Sequence, residues 1–119
     1  MPTQPTPTLT EADLARVVAR DFPDQTVAAT ELLESYGSES YQREVVRVRV
    51  AAVKLARGSV EELRNSVKTA CQDYRDVLAW AEYPAYMHLP QSASEAERSS
   101  AIESDWQQYQ DWLTSDAST

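Results

Sequence analysis

One run of spaced apolar residues constrains this chain more than any other feature: Val60, Leu63, Val67, Ala70, Cys71, Tyr74, Val77, Leu78 and Ala81 recur at steps of three, four and one. Those steps return the side chain to one face of a helix. Ser59 opens the run and Glu62 follows three residues later, a pattern in which side chains satisfy the free backbone N–H groups of a first helical turn. The spacing predicts a long amphipathic helix over about 60–82. Such a helix has to bury its stripe, so the rest of the chain has to cover it.

The preceding segment carries two conflicting signals. Val46-Arg47-Val48-Arg49-Val50 alternates and is β-branched, which in isolation reads as a strand. Over the wider window Tyr41, Val45, Val48, Ala52 and Leu55 step by four, three, four and three, with Ser38 and Gly58 as start and stop. The longer pattern prevails and predicts a helix over about 39–57. Only Gly58 and Ser59 separate it from the seam helix, so the two should form a tight antiparallel hairpin.

Around that hairpin the remaining segments are shorter. Residues 1–8 hold three prolines and three threonines and are expected to be a disordered tail. Thr10 with Asp13 makes an N-cap pair, and Leu9 can staple onto Leu14 ahead of a short helix over about 11–20. Phe22-Pro23 breaks it. A second helix is expected over about 24–36, with Val27, Ala28, Leu32 and Tyr36 inward and Gly37 at its left-handed end. Residues 83–91 form an aromatic connector pinned by Pro84 and Pro90. A last helix over about 93–113 follows, with Ser92 and Glu95 as its cap pair and Ile102, Trp106, Tyr109 and Leu113 inward. Residues 115–119 should fray.

The expected fold is therefore all-α: one domain over 9–114 with about five helices, the long hairpin carrying two short N-terminal helices and one C-terminal helix. Its expected core is Leu14, Val18, Phe22, Leu32, Tyr36, Val45, Val48, Ala52, Leu55, Leu63, Val67, Ala70, Tyr74, Val77, Leu78, Ala81, Ile102, Trp106 and Tyr109. Cys71, on the seam, is expected to be a buried, unreactive thiol.

Charge and cysteine usage narrow the function. A net charge of −8 opposes general nucleic-acid binding, whose affinity comes from cancelling phosphate charge, and favours a basic protein partner. With one cysteine, neither an internal disulfide nor a cysteine metal cage can form. No apolar run approaches the roughly 20 residues that cross a bilayer, and Met1–Thr10 lacks the basic and apolar regions of a secretory signal, so a cytoplasmic location away from the membrane is expected.

Three constellations could carry function. Arg43, Arg47, Val50, Lys54 and Arg57 also step by four, three, four and three, placing a basic line opposite the 41–55 stripe. It would serve as a strip for an acidic partner or nucleic acid, or pair internally with Glu31, Glu34 or the last helix. Asp73, Asp76, Glu82 and His88 are the nearest approach to a hydrolytic or metal-binding set, because paired carboxylates support acid–base work or a divalent ion. Trp80, Tyr83, Tyr86, Met87 and His88 hold residue types enriched at protein interfaces, or else close the end of the bundle around Trp106 and Trp112.

No phosphate loop, nucleophile elbow or histidine–carboxylate metal motif is present in the sequence. The preferred expectation is a non-catalytic adaptor, regulator or inhibitor that contacts another protein, with an immunity- or antitoxin-like inhibitor of a basic target as one form. It calls for no cofactor and no metal, and it leaves a homo-oligomer open. The candidate contact residues are Arg43, Arg47, Lys54, Arg57, Trp80, Tyr83, Tyr86, Met87 and His88.

Overall fold

A computed structural model describes residues 4–115, and among these every regular element is a helix. At the entry to α1 (Glu11–Asp21), Thr10 Oγ1 accepts from Asp13 N at 3.1 Å and the Asp13 carboxylate accepts from Thr10 N at 3.0 Å. The expected cap pair thus forms in both directions, and Leu9 packs on the core beside it. The first helix buries Leu14, Val17 and Val18 and stops at Phe22 before Pro23.

α2 (Thr26–Glu34) corrects one expected face. Ala29 and Leu33 are buried, whereas Val27 is 72% exposed and Ala28 also faces solvent. The row that decides the orientation is Phe22, Thr26, Ala29, Leu33, Tyr36, again stepping four, three, four and three. Phe22 and Tyr36 anchor both ends of that row in the core, and the large ring area they bury outweighs Val27.

The start of α3 (Val45–Ala56) is also corrected: residues 39–44 are a turn, and Tyr41 is 70% exposed. Glu44 is left-handed at φ 52, so the helix cannot run back through it. Side chains hold the turn instead. Gln42 Oε1 accepts from Gly37 N at 2.6 Å and Glu39 N at 3.1 Å, and the Tyr36 hydroxyl donates to Arg43 O at 2.6 Å. Beyond the turn, Val48, Val50, Ala51, Ala52, Val53 and Ala56 are buried around most of the circumference, with Val45 and Leu55 at half burial. α3 is the central helix, packed mainly against α1 and α4.

α4 (Val60–Glu82) runs back along α3, with Ser59 Oγ accepting from Glu62 N at 3.2 Å at its start. Leu63, Val67, Ala70, Val77, Leu78 and Ala81 are buried, and each large one contributes about 1.5–3 kcal/mol. The seam is interrupted at Asp73, whose φ −155 and ψ 100 are not helical. The Asp73 carboxylate accepts from Arg75 N at 3.1 Å, so it acts as an N-cap for the second half of α4. Two expectations fail on this helix: Cys71 is exposed rather than buried, and Tyr74 is only half-buried.

Within the aromatic connector, one further short helix appears, α5 (Pro84–Met87), making six among the described residues. α6 (Glu95–Thr114) begins at Ser94 rather than Ser92, with Glu97 completing the reciprocal cap. It buries Ile102, Tyr109 and Leu113 and leaves Trp106 half-buried. Its C-terminal carbonyls are held from α1. Arg16 donates to Leu113 O, and Arg20 Nη1 donates to Trp112 O at 2.6 Å and Ser115 O at 2.9 Å. The Arg20 guanidinium also lies 4.9 Å from the Trp112 ring centroid. Cations at a helix C-terminus satisfy orphan carbonyls and oppose the helix dipole. Of the expected tail, residues 4–8 are described and Pro7 is buried; 1–3, and 116–119 of the expected frayed end, lie outside the described residues.

Candidate functional site

The antiparallel hairpin brings the start of α3 against the end of α4, and there Arg47 meets Glu82. Arg47 Nε donates to Oε2 at 2.8 Å and Nη2 to Oε1 at 2.6 Å, a two-pronged pair. The Glu82 side chain is 3% exposed and that of Arg47 22%. Hydrogen bonding to Glu82 raises the Arg47 pKa despite partial burial. The basic line therefore does not reach solvent as a strip: Arg47 is engaged inward and Val50 is fully buried. Arg47's internal partner is Glu82, with Glu44 at 3.7 Å beside it, rather than Glu31 or Glu34.

The other cations of the line are scattered. Lys54 is half-buried, and burial, followed by the nearby Arg57, lowers its pKa while Asp105 opposes the shift. Arg43 and Arg57 face solvent from the two ends of α3.

The carboxylate set is dispersed in the same way. Asp73 is held by Arg75, with Nε donating at 3.0 Å and Nη2 at 3.1 Å, and these bonds lower the Asp73 pKa. Asp76 is exposed, and Glu82 is committed to Arg47. His88 Nδ1 lies 2.7 Å from Pro84 O. Among the described residues no three histidine, cysteine, aspartate or glutamate side chains converge as a metal site requires.

What the corner between α4 and α5 does present is apolar. Trp80, in the last turn of α4, is 46% exposed, and Met87, the last residue of α5, is 51% exposed. His88 is exposed beyond them and Tyr86 is half-buried. Tyr83 lies between them in sequence, but its ring is buried and its hydroxyl donates to Pro5 O. Burial, and then the charge of Glu82, push the Tyr83 phenol up to about 12.

The corner is made rigid by a residue that pattern reading missed. Asp105 of α6 is buried and accepts from Ala85 N at 3.1 Å and Tyr86 N at 2.9 Å, capping α5 from another helix. Its place three residues after Ile102 on the inward face was the available signal, since an acidic residue on a buried stripe needs donors. Pro5 and Pro7 were missed as well, because nothing in a proline–threonine tail indicates where it lies.

Comparison with protein-family models, with curated proteins and with solved structures gives no match. Among the described residues no helix is long and apolar enough to cross a membrane.

Proposed function

We propose that this protein is a non-catalytic interaction module whose α4–α5 corner contacts another protein. The observation that carries the reading is the exposure of Trp80 and Met87 on a corner held rigid by the Asp105 cap. Large exposed apolar side chains on a rigid scaffold are the anchors from which interface hot spots are built. Little ordering entropy is then lost on binding.

Charge favours a basic partner. Arg16, Arg20, Arg47, Arg49, Arg64, Arg75 and Arg98 all donate to carbonyl or carboxylate oxygens within the chain. The net charge of −8, carried in part by exposed carboxylates such as Asp76 and Glu103, speeds encounter with a positive surface. The hydrolytic and metal-binding alternative has less support, because its four residues are engaged separately or lie apart. The nucleic-acid alternative has less too, because its basic line is interrupted by Val50.

Photo-crosslinking tests the proposal. Benzoylphenylalanine placed at position 80 or 87 in the native host should trap one defined protein, while the same group at Val27, more exposed but on α2, should not. Equal trapping from all three positions, or none from 80 and 87, would remove the corner as the contact surface.

A further inference from the structure

A concavity of about 390 Å³ lies between the α2–α3 turn and the middle of α4, away from the corner. Three of the chain's six tyrosines line it, Tyr36 and Tyr41 from the turn side and Tyr74 from α4. Tyr36 is structural: its ring is buried and its hydroxyl is engaged by the Arg43 backbone. The other two rings have no such role. Tyr41 is exposed and Tyr74 half-buried, and among the described residues neither hydroxyl has a hydrogen-bond partner. The exposed Gln72 amide beside them is in the same state. Tyr41 is nonetheless held in place. Its neighbour Gln42 accepts from Gly37 N and Glu39 N, and Tyr36 fixes Arg43 beyond it. Cys71 joins the facing walls through weak sulfur contacts, with Gln42 Nε2 at 3.9 Å and Ser35 O at 3.8 Å. An exposed ring contributes little to the fold, but a ring already fixed at the rim of a cavity loses little entropy when a ligand stacks on it.

The chemistry of the walls selects what fits. Among the described residues Ala70 is the one aliphatic side chain lining the cavity, so apolar contact comes from tyrosine rings, which favour a flat partner. An organic cation finds Asp73 already paired with Arg75, whose Nε donates at 3.0 Å. An anion meets a chain of net charge −8 and a guanidinium that is already engaged. The groups left open are neutral: the Tyr41 and Tyr74 hydroxyls and the Gln72 amide. The volume falls within the range of small-molecule sites, about 300–1,000 Å³. We infer that this concavity binds a small, planar, uncharged aromatic molecule bearing hydrogen-bonding groups, stacked on Tyr41 and Tyr74 and bonded by Gln72. The site is separate from the protein contact at the α4–α5 corner, and neither reading depends on the other.

The test uses the full chain, with indole and 2-quinolone as planar neutral probes. Cyclohexanol is the non-planar control, benzyltrimethylammonium the cationic one and benzoate the anionic one. The planar probes should bind saturably, with a Kd of about 1 mM or below, and move the Tyr41 and Tyr74 ring resonances. At twice that Kd they should slow alkylation of Cys71 by iodoacetamide about threefold, as the cavity is then empty about a third of the time. The three controls should do neither. Tyr41→Ala, a change at an exposed turn residue, should leave the melting curve unchanged and weaken the planar probes about fivefold or more, the worth of one stacked ring. Tyr41→Phe should retain them. Gln72→Ala should weaken 2-quinolone more than indole, because the lactam offers the amide both a donor and an acceptor. Binding matched by any control, binding insensitive to Tyr41→Ala, or no saturable response to either planar probe would each overturn the inference. So would benzoylphenylalanine at position 41 trapping a protein while the free probes fail, which would assign the cavity to a partner's aromatic side chain. Failure of crosslinking at positions 80 and 87 bears on the corner alone.

Discussion

Tyr109 holds its hydroxyl in the core without a hydrogen-bond partner, while its ring packs at a tilt 5.7 Å from Trp112. A buried donor left unsatisfied opposes stability, so Tyr109→Phe should raise the unfolding free energy by about 1 kcal/mol in urea denaturation. Tyr36 is the control: its hydroxyl donates to Arg43 O and accepts from Arg43 N, so Tyr36→Phe should lower stability by a similar amount. Burial raises the pKa of both phenols and of Tyr83, which reaches about 12. The unfolded chain ionises first, near about pH 10, so stability is whole below that value and falls as pH rises toward the folded pKa. Denaturation midpoints should decline above about pH 10, and less steeply in Tyr83→Phe. Glu82 is the opposite case. Glu82→Leu leaves the Arg47 guanidinium without its two-pronged partner and with only the more exposed Glu44 at 3.7 Å, and should cost about 3 kcal/mol, whereas pairing it with Arg47→Met should restore most of that loss.

Among the elements, helix type and order were legible in the sequence because spacing of three and four survives any tertiary context, and the Thr10–Asp13 cap stands where it was expected. Register was less legible. α2 has two stripes of similar apolarity, and only the anchoring of Phe22 and Tyr36 in the core selects between them. The break at Asp73 was hidden because the seam continues in phase from Ala70 to Val77, although an aspartate two residues before an arginine N–H is a capping arrangement. The α2–α3 turn depends on Gly37 at φ 109, where an added Cβ would lie 2.7 Å from Val45 Cγ1 and 2.9 Å from Arg49 Nη2. Gly37→Ala should destabilise by about 1–3 kcal/mol through strain and contact together. Arg20→Ala should release the end of α6 from α1 and leave the carboxylate of Asp21 buried without its cation. Hydrogen exchange should then quicken across residues 109–114 while α3 stays protected, and uniform quickening would show that α6 unfolds only with the whole.

At the scale of the molecule, α3 is enclosed by its neighbours, and Arg20 and Arg47 turn inward to hold a helix end and a buried carboxylate. That arrangement explains why the candidate site was only half legible. Trp80 and Met87 were among the residues whose types are enriched at interfaces, and both are exposed. The fates of Arg47, Glu82 and Tyr83 depended on contacts that pair residue 47 with 82 and residue 83 with 5, separations that no local pattern encodes. The outside carries exposed carboxylates and, at the α4–α5 corner, the exposed side chains of Trp80 and Met87. The central claim is that this corner binds a protein and does not hold the fold together. The most direct measurement compares the Trp80→Ala/Met87→Ala chain with the native one for both unfolding free energy and affinity for the crosslinked partner. The account predicts a stability change within about 0.5 kcal/mol and an affinity at least about tenfold weaker. A large loss of stability with affinity unchanged would contradict it and make Trp80 and Met87 part of the core.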